Sequence, residues 1–337
     1  GSTVRWCTNE KAAYEEALGA SLVGKRAMVT MKHVGLNVAA DPFVNSALLD
    51  IVGGLVVAVA DDPGMHSSQN EQDTRGLAEF ARTVCLEPAN QQEAYDMACS
   101  AFALSEELGL PVVLRLVTRV AHARGVVNVQ KKAMPAGPDH ERRLVGPTFG
   151  GTGWMLVPAN ARAQWAKLVE QQKVLPNHPV ASSYNTYTDA GTAATSAVVT
   201  CGVAKDYYNE YANRLDPRPH HLHIGFYPFG ANIVGRLPDH VVDILVLEDG
   251  YPVVERELQR LVKDHVKING RESGALPATG ELTPETVRSA LGLADTVALA
   301  NGSNQRLPVR KPQLCSGCPH ADSFESLNKA LPRSDEG

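Results

Sequence analysis

The sequence lacks the motifs that identify several large enzyme classes. No GxGxxG follows a predicted strand and no GxxxxGK[ST] is present, so the sequence lacks the usual fingerprints of dinucleotide-binding and P-loop proteins. The GxSxG turn of many α/β hydrolases is also missing. No apolar run approaches the roughly 18 residues that cross a bilayer, so we expect no membrane partner.

Charge runs and paired cysteines are scarce. The net charge of -5 is spread over 337 residues without blocks of one sign, so we expect no nucleic-acid partner. Four of the six cysteines are isolated among apolar neighbours, which is typical of buried reduced thiols and favours a cytoplasmic location. The other two, Cys315 and Cys318, form one CxxC pair. It supplies two of the roughly four ligands that a zinc ion or an iron–sulfur cluster needs.

Strands alternate with helices over residues 1–125, which predicts a mostly parallel, doubly wound α/β domain. Residues 53–60 form a near-continuous apolar run, as expected for a strand covered on both faces. The other predicted strands are residues 3–7, 26–31, 81–88 and 111–118. The predicted helices are residues 9–24, 41–51 and 90–108.

The remaining chain divides into three predicted parts. Residues 126–194 are rich in proline and glycine and read as a connector with one helix, at 159–172. Residues 195–300 resume the alternation and predict a smaller α/β domain. Its predicted strands are residues 196–202, 220–228 and 241–250, and its helices are 203–215 and 251–263. Residues 301–337 are predicted to be a linker and the opening of a further unit.

Three polar segments follow predicted strands, where ligands of open α/β sheets collect. They are residues 7–11, 31–37 and 61–75. Each has a structural alternative: Asn9 can cap a helix, Gly35 can form a turn, and the Asp61-Asp62 pair can form turn hydrogen bonds rather than bind a metal. Three such segments at one predicted edge favour a ligand site.

Three longer segments resemble a known family. Residues 9–42, 56–75 and 314–320 closely resemble the alpha subunits of the indolepyruvate ferredoxin oxidoreductase family, which use thiamine diphosphate to convert 2-oxo acids. The resemblance runs from about residue 4 to residue 331. It implies a pyrimidine-binding-type α/β domain followed by an α/β domain similar to the C-terminal domain of transketolase.

The resemblance also implies which residues act. Glu10 matches the glutamate that contacts the aminopyrimidine ring, where a carboxyl sharing a proton with ring nitrogen N1′ prepares the cofactor to lose its thiazolium proton. The first turn of a helix stabilises a charged carboxylate and so lowers its pKa. The role of Glu10 needs a raised pKa, so we expect burial of Glu10 to outweigh the effect of the helix. Further residues implied to line the cofactor cleft are Lys32, His33, Gly35, Asn37, Asp62, Ser67, Ser68, Gln69 and Asn70. Arg75 and Arg119 are candidates for the substrate carboxylate, with a structural ion pair as the alternative for each.

The sequence departs from the family pattern in three places. It has no YPGTPS-like segment, no GDG…N magnesium motif and no CxxCxxCxxxC cluster motif. We therefore expect that the first domain is incomplete, that the chain stops near the start of the diphosphate-binding domain, and that it is inactive alone. Cys315 and Cys318 match the start of that unit, where other members of the superfamily hold a cluster.

For the whole protein, the resemblance implies oxidative decarboxylation of arylpyruvates to aryl-acetyl-CoA. The implied cofactors are thiamine diphosphate, Mg²⁺ and [4Fe-4S] clusters. The implied partners are CoA, ferredoxin and a beta subunit in a hetero-oligomer. Two alternatives stay open: a non-catalytic assembly subunit, and another thiamine-dependent 2-oxoacid decarboxylase.

Overall fold

A computed structural model describes residues 3–129, 154–293, 314 and 317–331. The chain divides into two compact units, Gly1–Ala294 and Asp295–Gly337. Parts of the predicted connector and linker, at 130–153 and 294–313, lie outside the described residues.

The first sheet of the larger unit has five strands in the order β1-β2-β4-β3-β8. Neighbouring strands among the first four are parallel, with Ala27 opposite Leu55 and Val56 opposite Val112. The last strand is antiparallel and comes from the second half of the chain. The strands are β1 (Ala27–Lys32), β2 (Leu55–Asp61), β3 (Val84–Leu86), β4 (Val112–Val117) and β8 (Phe226–Tyr227).

Helices cover both faces of this sheet, as a doubly wound fold requires. Tyr14 and Phe43 pack with Val57 on one face, and Met97 and Leu104 belong to the apolar cluster on the other. The helices are α1 (Glu10–Leu22), α2 (His33–Val38), α3 (Ala40–Ser46), α4 (Thr74–Ala81), α5 (Gln91–Leu108) and α6 (Thr118–His122).

The second sheet also has five strands, in the order β10-β9-β6-β7-β5, and is parallel except for β5. One apolar cluster contains residues of both sheets, Val57 and Val199 among them, so the two sheets share a core. The strands are β5 (Thr186–Thr188), β6 (Ser196–Cys201), β7 (His220–Ile224), β9 (Asp243–Leu247) and β10 (Lys267–Asn269). The helices are α9 (Ala204–Tyr211), α10 (Ala231–Val234), α11 (Val253–Leu261) and α12 (Pro284–Ala290).

The predicted connector contains more structure than its one predicted helix. That helix is α7 (Pro158–Val174), and it is followed by a 3₁₀ turn (Leu175–Asn177), by α8 (Pro179–Tyr184) and by β5. Leu168 of α7 packs against Ala47 and Leu110 of the first domain.

Three local predictions are wrong. Residues 3–7 form no strand, because Val4 and Trp6 are almost fully exposed and have no sheet to join. The alternative of a turn at Gly35 is wrong, since α2 begins at His33 directly after β1 and contains Gly35. Residues 220–228 are two strands in different sheets, β7 and β8, separated at Gly225.

The cysteines fit the predicted reduced state in part. Among the described residues the free thiols include Cys85 and Cys201, which are buried, whereas Cys7 and Cys99 are only half-buried. In the smaller unit, α13 (Pro319–Ala330) follows Cys318, whose sulfur lies 3.3 Å from Nδ1 of His320. Cys315 lies outside the described residues.

No helix in the described ranges is both long enough and apolar enough to cross a membrane.

Candidate functional site

The three polar segments meet at one edge of the first sheet, as the sequence predicts. Lys32 ends β1 opposite Ala60 of the parallel strand β2, so the segments that follow leave the sheet side by side. The Nζ atom of Lys32 donates to the hydroxyl of Ser67 at 3.1 Å, and it lies 3.7 Å from the carboxylate of Asp62.

The first polar segment reaches this edge through Glu10. Asn9 caps α1 by accepting a hydrogen bond from the N–H of Ala12 at 2.9 Å, which places Glu10 in the first turn. A Cβ atom added to Gly35 of α2 would lie 2.6 Å from Cγ of Glu10 and 2.9 Å from its Oε1. Only glycine therefore lets α2 approach the Glu10 carboxylate this closely.

Asp62 organises the loop between β2 and α4. The backbone N–H groups of His66 and Ser67 donate to its carboxylate at 3.2 and 3.0 Å. The hydroxyls of Ser68 and Thr118 donate to it at 2.7 and 2.9 Å. Burial raises the pKa of Asp62, but these hydrogen bonds outweigh burial and hold the pKa well below its usual range. The contacts favour the turn-forming alternative for Asp62 over direct contact with a ligand.

The rest of this loop presents polar groups to solvent. Ser67, Gln69 and Asn70 are exposed, and so is Asn37 of α2. The structure therefore places these four candidates on the accessible side of the edge, where a ligand can reach them.

Arg119 is bound by an acidic neighbour. Its Nε donates to Glu281 at 2.8 Å and its NH2 group contacts the other oxygen of the same carboxylate. His66 of the loop lies 3.2 Å from that carboxylate. The fork that could hold a substrate carboxylate is thus occupied by Glu281, although the Arg119 side chain is half-exposed.

Arg75 is fully buried, and all three nitrogens of its guanidinium hydrogen bond within the protein. Its Nε and NH2 groups bind the carboxylate of Asp73 at 3.0 and 2.6 Å, and NH1 binds Glu248 at 2.9 Å. NH2 also contacts the backbone carbonyls of Asp249 and Tyr251. The structure favours the structural alternative for Arg75, because a fully buried guanidinium whose three nitrogens all bind protein acceptors is poorly placed to bind a substrate.

A second buried arginine, Arg115 on β4, completes this charge network. Its Nε binds Asp61 at 2.7 Å, NH1 binds Glu87, and NH2 binds the carbonyl of Asp249 at 2.9 Å. Asp61 and Asp73 stand at the two ends of the polar loop, so two buried arginines hold both ends and tie them to the second sheet. Sequence reasoning missed this role, although the pattern VVLRLV over residues 112–117 places an arginine inside an apolar strand.

The carboxyls of the network differ in how readily they ionise. Burial raises the pKa of Asp61 and Glu248, and it raises that of Asp249 to about 6. At Asp73 burial also acts to raise the pKa, but Arg115 and Arg75 outweigh it and hold the pKa well below its usual range. As the pH falls through about 6, Asp249 therefore takes up a proton while Asp73 stays ionised.

His33 lies at the start of α2 and is completely buried. Its Nδ1 accepts a hydrogen bond from the N–H of Val34 at 2.8 Å. Burial lowers the pKa of His33, against a smaller upward effect of Asp61, and the positive charge of Lys32 adds a still smaller downward effect. Burial therefore favours the neutral form of the imidazole.

Known proteins match both the first domain and the whole chain. Residues 2–145 match the family model described as pyruvate flavodoxin/ferredoxin oxidoreductase, thiamine diphosphate-binding. The chain is 35% identical over 336 residues to the indolepyruvate oxidoreductase subunit IorA of Methanothermobacter thermautotrophicus. It is 34% identical over 339 residues to the IorA subunit of Archaeoglobus fulgidus. The resemblance carried by the sequence motifs is confirmed.

These matches cover 98% and 97% of this chain but 53% of each relative, so the chain spans about half the length of the IorA subunits it matches. A solved structure of 2-oxoglutarate:ferredoxin oxidoreductase from Magnetococcus marinus has the same fold, with a TM-score of 0.65 at 15% identity. That match covers 86% of this chain and 57% of the solved chain.

The residues around Glu10 fit the aminopyrimidine ring of thiamine diphosphate. They offer a carboxyl for a ring nitrogen, and the lack of a side chain at Gly35 leaves room for that carboxyl. In the described ranges, no group of three or more His, Cys, Asp or Glu side chains could hold a metal ion. The described residues therefore fit the pyrimidine half of the cofactor and do not form a magnesium or cluster site.

The contact between Gly35 and Glu10 predicts the effect of a single methyl group. Gly35→Ala should leave the melting temperature of the complete enzyme nearly unchanged. Alanine favours helix α2 by roughly 0.5–1 kcal/mol, and this gain offsets the cost of displacing the Glu10 side chain. It should lower turnover by about a hundredfold, because the added Cβ displaces the Glu10 carboxylate. Gly19→Ala on α1 is the matched control, since nothing lies within 4 Å of its added Cβ. Equal turnover in the two variants would show that the carboxylate position does not matter.

Proposed function

We propose that this chain forms the aminopyrimidine-binding part of an indolepyruvate:ferredoxin oxidoreductase. The whole enzyme would convert an arylpyruvate, CoA and oxidised ferredoxin into aryl-acetyl-CoA, carbon dioxide and reduced ferredoxin. The observation that carries the proposal is the Glu10 carboxylate held against Gly35 at the sheet edge. The names of the matched relatives support the choice of substrate.

Thiamine diphosphate supplies, when bound, a carbon nucleophile for the keto group of the 2-oxo acid. Glu10 would share a proton with ring nitrogen N1′ of the bound cofactor through its carboxyl. Gly35 keeps that carboxyl in place, and the loop built on Asp62 forms one wall of the cleft. The two buried arginines hold the ends of that loop.

The other parts of the enzyme belong outside the described residues. Since the chain spans about half of its relatives, we place the diphosphate and Mg²⁺ site, the ferredoxin-like [4Fe-4S] clusters and the beta subunit there. Cys315 and Cys318 remain candidate cluster ligands at the start of that region.

The proposal is tested on the complete subunit, produced anaerobically with its beta partner. We expect bound thiamine diphosphate and reduction of ferredoxin that depends on both indolepyruvate and CoA. Decarboxylation without electron transfer would instead indicate another 2-oxoacid decarboxylase. A complex that assembles but binds no thiamine diphosphate and reduces no acceptor would make this chain an assembly subunit.

A further inference from the structure

A buried donor at the site has no partner. Because Nδ1 of His33 accepts the Val34 N–H, the proton of the neutral ring lies on Nε2. That Nε2 atom is buried, and within the described part of the chain it makes no hydrogen bond. Buried N–H groups without an acceptor are rare in native proteins, and each one calls for an explanation.

The surroundings of this donor favour an anionic acceptor. Lys32, the preceding residue, has a side chain that is 42% exposed, and its ammonium group binds Ser67. Asp62 partly balances this charge, but its oxygens are already engaged by the loop. One carboxylate oxygen would satisfy the unpartnered N–H, and the positive charge of the neighbouring residue Lys32 would add to the attraction for an anion.

The alternative anchors for a substrate carboxylate are already engaged. Every donor group of Arg75 is used within the buried network. The guanidinium of Arg119 is held by both oxygens of Glu281. Lys32 is held less tightly, by one serine hydroxyl and by Asp62 at 3.7 Å, and its side chain is 42% exposed.

We propose that His33 Nε2–H, assisted by the charge of Lys32, binds the carboxylate of the 2-oxo acid substrate. This assignment rests on the proposed function and adds to it the residue pair that recognises the acid group. His33 then acts as a fixed donor, not as a base, because its other nitrogen is held by the backbone of its own helix.

The test uses the complete enzyme with its partner subunit and compares His33→Phe with His33→Gln. Phenylalanine fills the ring volume without a donor, whereas glutamine keeps an N–H of similar reach. Three dissociation constants are measured by calorimetry: those of thiamine diphosphate, of indole-3-lactate, and of indole-3-ethanol, which lacks the carboxylate. Steady-state kinetics then give KM and kcat for indolepyruvate.

We expect His33→Phe to weaken indole-3-lactate binding and to raise KM by about 10- to 100-fold. The dissociation constants of thiamine diphosphate and indole-3-ethanol should stay within about twofold. His33→Gln should recover most of the loss. Lys32→Met, which leaves the buried ring in place, should also weaken indole-3-lactate selectively and keeps the test open should His33→Phe fail to fold.

Other results would overturn the assignment in distinguishable ways. Equal loss of thiamine diphosphate and indole-3-lactate binding would assign the donor to the cofactor. Unchanged constants in both His33→Phe and Lys32→Met would mean that a buried water satisfies Nε2. A wild-type enzyme that binds no thiamine diphosphate would remove the proposed function itself, and this assignment with it.

Discussion

Glu10→Gln should lower the indolepyruvate-dependent turnover of the complete enzyme by about 100-fold or more. Glutamine keeps the size of the side chain and its contact with Gly35, but it cannot pass a proton to a ring nitrogen. The melting temperature should change little, because a first-turn carboxylate contributes only about 0.3–1 kcal/mol to its helix. The measurement is ferredoxin reduction at saturating substrate, with thiamine diphosphate content determined on the same sample.

Glu15→Gln is the matched control for this prediction. It makes the same chemical change on the same helix, at an exposed residue that only approaches Lys11, at 3.9 Å. We expect full turnover from it. Full turnover from Glu10→Gln with normal cofactor content would mean that another carboxyl activates the ring, and the match of Glu10 to the pyrimidine site would be wrong.

Arg115→Met should destabilise the larger unit by about 3–5 kcal/mol. Methionine fills much of the volume but leaves Asp61 and Glu87 buried without their cation. Because the network also fixes the ends of the polar loop, cofactor affinity should fall as well. The expected drop in melting temperature is about 10 °C, measured by calorimetry on the complete subunit.

Two further variants separate the buried network from ordinary ion pairing. Arg256→Met removes an exposed pair with Glu272 and should cost less than about 1 kcal/mol. Adding Glu87→Gln to Arg115→Met removes one stranded charge, so it should recover part of the lost stability. A melting temperature for Arg115→Met equal to that of Arg256→Met would contradict the structural role of the network.

Regular apolar runs were the most predictable part of the fold. The run over residues 53–60 became the fully covered strand β2, and the long helix predicted at 90–108 is α5. The two polar segments that follow β1 and β2 could be placed at one edge because parallel strands end together. Lys32 beside Ser67 confirms that placement. The first polar segment follows no strand and reaches the edge through Glu10 instead.

Long-range electrostatic partners could not be predicted in the same way. Arg75 and Glu248 are 173 residues apart, and no local pattern indicates that a fold will bring them together. The sequence left open whether Arg75 binds a substrate carboxylate or forms a structural ion pair. The segment that follows β9 supplies the Glu248 carboxylate and two backbone carbonyls that bind it. The sequence predicted one strand over residues 220–228 and did not separate β8 from β7. The two strands belong to different sheets, and the chain passes from one sheet to the other at Gly225.

The close contact of Gly35 with Glu10 could be predicted only in part. The resemblance named both residues, but only the structure shows that a single Cβ separates a compatible site from a blocked one. His33 was implied as a cleft residue too, and its tautomer became evident once the Val34 N–H was seen to occupy Nδ1.

The most direct test of the account is an experimental structure of the complete enzyme with thiamine diphosphate bound. The quantity to measure is the distance from the Glu10 carboxylate to N1′ of the aminopyrimidine ring. We predict a hydrogen bond of about 2.6–2.9 Å, with Gly35 behind the carboxyl. A ring bound elsewhere, with Glu10 facing solvent, would contradict the central claim that this chain forms the pyrimidine side of the site.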